Sequence, residues 1–482
     1  MVTVDTKQGR IRGELKDGVA VWRNIPYAEA PLGELRFLPP RAPRSWDGER
    51  DGTRYSPVAI QSRDPRVAML SGISDRMTMS EDCLVLDVYS PAADAGRRPV
   101  MVWIHGGAFV MGSGTVPLYS GAGFAARHDI VVVTINYRLG ALGLLYLGEL
   151  LGEHYESGNA ALLDQVAALR WVRDNIAAFG GDPGQVTVMG ESAGAIAIAN
   201  LLGMPAAHGL FHRAILESGG PSLTPTTRAD ACEVAREVVA ALGVGVEQLT
   251  RISDLDFVQA QDRVFQARGM SAFQPCIDGV TLPRPVIETL RAGEGVNVPL
   301  LLGSNRDEWA LFDVLLGEAA TLPLIARMRG KLGDAFVDKM YAAYGANHRA
   351  WVDILGDLGF RIPALRLADA HPAAAYVYRF DWRSPSFGGR LGAAHALELP
   401  FVWNRLDTQF ARALIGGGEG VQALATAIHD TWAAFIKTGD PNGGGLPHWT
   451  RYNTATRPTM LLDVESHMAD DPGGDTRTLW PV

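Results

Sequence analysis

Residues 190–194 read Gly-Glu-Ser-Ala-Gly, a G-x-S-x-G pattern. Its chemistry is that of a serine nucleophile thrust out on a strained turn between a strand and a helix. Small residues two positions to either side let strand and helix approach closely. Taken bare, the pattern is weak. Here an apolar run, 185–189, precedes it and an Ala/Ile-rich run, 195–202, follows, which is the setting the mechanism needs. The plain alternative is a tight turn whose serine caps the helix. His105-Gly106-Gly107-Ala108-Phe109 follows a second apolar run. Successive glycines let backbone N–H groups converge on a small anion without interference from Cβ atoms. Donors fixed in advance stabilise a tetrahedral oxyanion more than water does. Standing alone this loop would be an ordinary glycine turn. Beside 190–194 it reads as half of an oxyanion hole, completed by the N–H of Ala193.

A serine needs a base within hydrogen-bond reach, itself oriented by a carboxylate. On a strand–elbow–helix scaffold the chain order is Ser, then Asp or Glu, then His. Of the eleven histidines, His105, His128 and His154 precede the serine, and His208 and His212 follow it too closely. His429 falls in an amphipathic helix, 421–435. His348 and His371 lie in or beside a helical section, and His448 and His467 in the polar tail. His395 remains: it follows a late strand, 375–382, through a Gly-rich loop. For the acid, the strand 298–302 leads into Gly-Ser-Asn-Arg-Asp307-Glu308. Asp307 and Glu308 are equal candidates on position alone, set against a solvated acidic loop.

These residues must be held by something. Runs at 84–89, 100–105, 130–137 and 185–189 are rich in β-branched and apolar residues and read as strands. Residues 164–178 carry apolar side chains at helical spacing and stop at Gly-Gly-Asp-Pro, 180–183. Further strands are expected at 213–218, 298–302 and 375–382. Strand and helix alternating through short joints imply an α/β fold, with a mostly parallel central sheet covered by helices on both faces. The stretch from about 310 to 370 is helical in pattern and is expected to cap the carboxyl edge of the sheet. Residues 61–80 read as a long loop, and 443–445 as a surface turn. No repeat or linker divides the chain.

Composition narrows the class. The 482 residues carry 44 Lys and Arg against 53 Asp and Glu, a formal charge of −9, with 47% hydrophobic residues. That is the make-up of a globular protein rather than a disordered or fibrous one. The acidic balance argues against general affinity for nucleic acid or anionic membranes. No apolar run reaches the length of a spanning helix, and the N-terminus has no leader pattern. A cytoplasmic protein is the expectation. The cysteines at 83, 232 and 276 have no paired spacing, so neither a disulfide scaffold nor a structural zinc site is expected.

In order along the chain, the motifs resemble those of the type B carboxylesterases, the carboxylesterase/cholinesterase group of α/β-hydrolases. The resemblance begins at Asn24–Ala28, 31, Arg36-Phe37 and Ser80–Leu84. It continues through Trp103–Phe109, Asn136–Arg138, Gly158-Asn159, Asp164-Gln165, 175–183 and the Ser192 turn. It closes with Phe273–Pro275, Asp278-Gly279, Asp307-Glu308, His395 and Thr438–Asn442. In compactness the chain resembles bacterial members such as the para-nitrobenzyl esterases more than animal ones. The resemblance implies one α/β-hydrolase domain over 1–482 with a cap-like insertion at about 310–370. It implies that Glu308, not Asp307, orients His395. It implies an oxyanion hole of three N–H groups, at Gly107, Ala108 and Ala193. It also implies two buried ion pairs, Arg36 with Glu81 and Arg138 with Asp164. Secreted relatives often join the position of Cys83 to an upstream cysteine, but 56–59 contains none. That agrees with a reducing compartment.

The expected activity is hydrolysis of carboxylic esters, of short to medium chain length or aryl, through an acyl-enzyme, with no metal or organic cofactor. The expected partner is a small-molecule ester, and the expected state a monomer or weak homo-oligomer. Phe109, Met270, Phe273, Leu311 and Phe312 lie near these segments and are candidates to line the acyl or alcohol sites, against plain core packing. The Gly-Gly-Ala loop resembles those of esterases that accept bulky alcohols. Glu191 is expected to serve internally rather than to attract a cationic substrate. Two other readings stand beside this one: a carbamate or amide hydrolase of the same family, and a catalytically silent adhesion or binding member.

Overall fold

A computed structural model describes residues 1–64, 72–74, 76–152, 155 and 158–481. Part of the expected 61–80 loop, and His154, lie outside these residues.

The strands Val131–Ile135, Arg98–Ile104, Gly181–Glu191, Arg213–Glu217, Leu300–Asn305, Ala375–Phe380 and Pro458–Leu462 lie side by side in that order, every neighbouring pair parallel. Antiparallel strands extend both flanks. Val85–Ser90 adds to Val131–Ile135 and then leads to Val19–Pro26, Arg10–Lys16 and Val2–Asp5. His467–Asp470 closes the far edge. The flanking N-terminal strands were not anticipated. Val2–Asp5 is only four residues long, Arg10–Lys16 mixes Arg, Glu and Lys with its apolar residues, and the apolar opening of Val19–Pro26 is cut at Arg23-Asn24.

Side-chain alternation explains why the central runs are apolar throughout. Val100, Val102 and Ile104 enter one core cluster, while Met101 and Trp103 enter another. Strands covered on both faces have no solvent side to mark with polar residues. Helix Ala160–Asn175 begins earlier than expected and tightens into a 3-10 turn at Ile176–Phe179. Gly180 then takes φ 82°, the left-handed cap conformation for which glycine is suited. The breakers at 180–183 do not form a loop. Gly181 already pairs with Arg98, and the register shifts before Val186 joins Val100.

Residues 310–370 are built of helices: Ala310–Leu316, Glu318–Leu332, Asp334–Ala343, His348–Gly356 and Ile362–Ala370. The last two are joined without a break by a π-helical turn, Asp357–Arg361. Pro363 accounts for the widened turn. It has no N–H to give to the Gly359 carbonyl, and its ring would crowd that carbonyl in regular helix. Both implied ion pairs are present. Arg138 donates to Asp164 through Nε at 2.8 Å and Nη2 at 2.7 Å, and to the Leu38 carbonyl through Nη1 at 2.8 Å. Arg36 meets Glu81 through Nε at 2.8 Å and again through Nη2, while Nη1 caps the Ile252 carbonyl. All three cysteines are free and buried. Among the described residues, no helix is long and apolar enough to cross a membrane.

Candidate active site

Ser192 sits where strand Gly181–Glu191 passes into helix Ala193–Gly203, with φ 54° and ψ −121°. A serine pays strain to hold a positive φ, and such strain collects at functional sites. Its side chain makes no capping hydrogen bond to the helix, so the capping alternative does not describe this turn. The small neighbours are required by space. A Cβ at Gly194 would come within 2.0 Å of the Ile104 carbonyl oxygen, and one at Gly190 within 2.7 Å of the same atom.

The 105–109 loop lies directly against this turn. A Cβ at Gly106 would meet Glu191 Oε2 at 2.6 Å and Ser192 Cβ at 3.0 Å. Gly107, Ala108 and Phe109 all have positive φ, at 110°, 52° and 61°. Among the described residues, the N–H groups of Gly107, Ala108 and Ala193 donate to no protein acceptor. For Ala193 this is the normal condition of a first-turn N–H. Phe109 is fully buried, and its carbonyl accepts the N–H of Gly140 at 2.6 Å, which fixes the far end of the loop. His105 is buried, with Nδ1 donating to the Gly106 carbonyl at 2.8 Å. Burial pushes its imidazole down to about 4, so it stays neutral.

The two adjacent carboxylates after strand Leu300–Asn305 go opposite ways. Glu308 Oε2 accepts from His395 Nδ1 at 2.7 Å, and Oε1 accepts the N–H of Asn305 at 2.7 Å. Asp307 instead accepts the N–H of Ala393 at 2.8 Å and pairs with Arg349. Burial alone would raise the Asp307 carboxyl, but the Ala393 N–H and Arg349 outweigh it and hold it below its ordinary range. Asp307 thus staples the loop that carries His395, while Glu308 meets the ring itself.

The other ring nitrogen of His395, Nε2, lies 3.0 Å from Glu191 Oε1. The imidazole therefore spans two carboxylates, one of them the residue before Ser192. Among the described residues, the Ser192 hydroxyl makes no hydrogen bond to a protein group. Such bonds are often long or unmade without substrate. Burial acts to lower the His395 pKa, but Glu191 and then Glu308 override it and bring the ring up to about 9. Burial raises the Glu191 carboxyl, moderated by His395, to about 7.

Two further buried carboxylates face this region. Glu398 accepts from the Asn305 amide and lies 3.5 Å from Ser218 Oγ, and Glu217 accepts the Trp432 indole N–H at 2.5 Å. Reasoning from sequence named neither as part of the site. Glu398, three residues after His395, was the one with a legible signal. Phe360 was also missed: its ring lies 4.5 Å from the imidazole centroid, opposite no sequence motif. Of the candidate pocket residues, Phe312 lies beside the imidazole, its ring tilted with centroids 5.3 Å apart. Leu311 and Met270 pack in the same cluster as Phe312. Phe109 and Phe273 belong to the other core cluster.

A mostly parallel sheet, a strained serine between strand and helix, and an imidazole held by a carboxylate from a later strand define an α/β-hydrolase. The model of the carboxylesterase family matches residues 1–478, and the chain belongs to that family. It is an enzyme that hydrolyses carboxylic esters. It is 39% identical to the para-nitrobenzyl esterase of Bacillus subtilis (strain 168), over 98% of this chain and 97% of that one. It is 35% identical to the phenmedipham hydrolase of Pseudarthrobacter oxydans, over 95% of this chain and 94% of the relative. Among solved structures, the carboxylesterase of Geobacillus stearothermophilus superposes with a TM-score of 0.87 at 40% identity, covering 100% of both chains. A PNB esterase structure superposes with a TM-score of 0.90 at 37% identity, over 100% of this chain and 99% of that one.

Proposed function

We propose that ester hydrolysis here is two-step acyl transfer through a catalytic triad of Ser192, His395 and Glu308. His395 removes the Ser192 proton as the hydroxyl attacks the ester carbonyl. The N–H groups of Gly107, Ala108 and Ala193 form the oxyanion hole for the tetrahedral intermediate. The protonated imidazole then gives its proton to the leaving alcohol. Water repeats the sequence on the acyl-enzyme. Glu308 holds the ring in the tautomer that leaves Nε2 free to act, and stabilises its charged form.

The observation that carries this reading is the 2.7 Å contact from His395 Nδ1 to Glu308 Oε2, with Nε2 directed at the residue beside Ser192. The unpartnered N–H groups on the abutting loop support the oxyanion role. Short- to medium-chain and aryl esters are the proposed substrates, a choice supported by likeness to a para-nitrobenzyl esterase. Phe312, Leu311 and Met270 are proposed to line the pocket, with Phe109 and Phe273 supporting it from the other side. The helices of 310–370 are proposed to cap a single domain. A panel of p-nitrophenyl esters of increasing acyl length tests the substrate class. Turnover that peaks at short or medium chains is expected, and activity confined to amides or carbamates would overturn it.

A further inference from the structure

Phe360 sits inside the π-helical turn Asp357–Arg361, and it is buried with its ring 4.5 Å from the His395 imidazole at an interplanar angle of 37°. Phe312 lies at 5.3 Å from the same ring. The π turn therefore determines where one wall of the imidazole stands. A widened turn is a poor anchor by itself, because the regular ladder of helix bonds is interrupted there.

What holds the turn comes from the far end of the chain. Arg361 grips Asp357 with Nε and Nη2, both at 2.6 Å. It also donates to the Gly473 carbonyl at 3.1 Å and to Thr476 Oγ1 at 2.6 Å. The Trp480 indole N–H donates to Tyr344 Oη at 2.9 Å, and Tyr344 Oη donates at 2.5 Å to Asp357 Oδ2, the oxygen that Arg361 Nη2 also reaches. The Trp480 ring is buried in a satellite core with Met328, Val337, Met340, Ile354 and Ile362. Two of these, Ile354 and Ile362, flank the π turn in sequence. Polar and apolar contacts from residues 473–480 thus converge on the same five-residue turn, Asp357–Arg361.

We propose that Phe360 is a positioning residue for His395, and that residues 473–480 act as a latch holding its turn in register. The proposal rests on the reading of His395 as the general base. With the latch closed, the ring face at 360 prevents the imidazole from tilting between its two carboxylate neighbours. With it loosened, Nε2 loses its alignment although substrate still binds.

The test uses the full chain with three variants: Phe360→Met, Phe360→Tyr and Trp480→Phe. The first removes the ring at similar bulk, the second keeps the ring, and the third removes the indole N–H and narrows the bicyclic ring to a phenyl. Phe360→Met is expected to lower kcat on the order of 10- to 100-fold with KM changed less than about threefold, the cost of a small misplacement of a catalytic group. Phe360→Tyr is expected to recover most of that loss. Trp480→Phe is expected to lower kcat in the same direction at unchanged KM. If Phe360→Met keeps its kcat, or if kcat and KM change together in it, the role of Phe360 is overturned. If Trp480→Phe changes only the melting temperature, the latch is overturned. Fluorophosphonate labelling of the unmodified protein separates this from the underlying mechanism. Label at Ser192 with unchanged kcat in Phe360→Met rejects the positioning role alone, whereas failure to label Ser192 rejects the mechanism itself.

Discussion

Glu191 Oε1 lies 3.0 Å from His395 Nε2, so the carboxylate beside the proposed nucleophile faces the very nitrogen proposed to accept its proton. An ionised Glu191 favours the charged imidazolium and raises its pKa. Burial opposes this, and the net effect brings the ring up to about 9. A base works only when neutral, so kcat/KM is expected to climb through the alkaline range. Replacing Glu191 by Gln removes the strongest raising influence and is expected to move the midpoint of that climb to lower pH. A pH–rate profile of both proteins checks this. A midpoint that stays put, or moves up, would contradict it.

The divergence of Asp307 and Glu308 makes a paired prediction. Glu308→Gln is expected to reduce kcat by a factor on the order of 10³–10⁴, because the amide favours the wrong tautomer of His395. Asp307→Asn weakens the staple to Ala393 and the pairing with Arg349. It is expected to lower the melting temperature while retaining most activity. Steady-state kinetics and thermal melts on the two variants measure the split. Equal losses of kcat would show that the two carboxylates are not separated in function.

Asp164 is fully buried, and among the described residues its cationic partner is Arg138. Asp164→Asn leaves that guanidinium buried with its charge unmatched, at a cost of about 3–5 kcal/mol. Replacing both residues by apolar ones of similar volume is expected to recover part of the loss. Urea denaturation of the single and double variants measures it. A single variant within about 1 kcal/mol of the parent would show the pair to be hydrated or dispensable.

Glu398 is expected to make the fold itself sensitive to pH. Burial, with Glu191 and Glu308 adding to it, pushes this carboxyl from its ordinary 4.5 up to about 8. Between those values the folded protein keeps a proton that the unfolded chain releases, so stability falls as pH rises through the window. His395, raised to about 9, contributes in the same direction above its ordinary 6.5. Glu398→Gln is expected to flatten the decline of melting temperature between pH 5 and 8. An identical slope in the parent and the variant would contradict this.

The parallel centre of the sheet was legible because strands buried on both faces must be apolar along their whole length. Ser192 and the 105–109 loop were legible because their geometry demands small residues at fixed spacing. The N-terminal strands were not: Val2–Asp5 is too short and Arg10–Lys16 too charged to carry a periodic signal, and the apolar opening of Val19–Pro26 stops after four residues at Arg23-Asn24. Position alone could not separate Asp307 from Glu308, because that choice depends on where Ala393 and Arg349 fall in space. Phe360 was invisible for a similar reason. Its placement follows from a widened helical turn at Pro363 and from contacts with residues more than a hundred positions away.

The most direct test of the central mechanism is chemical. The unmodified protein is treated with a fluorophosphonate probe, the modified residue is mapped by peptide mass spectrometry, and ester turnover is compared with that of Ser192→Ala. The account predicts stoichiometric label on Ser192 and loss of turnover in a variant that melts like the parent. Undiminished ester hydrolysis by a well-folded Ser192→Ala protein would contradict it.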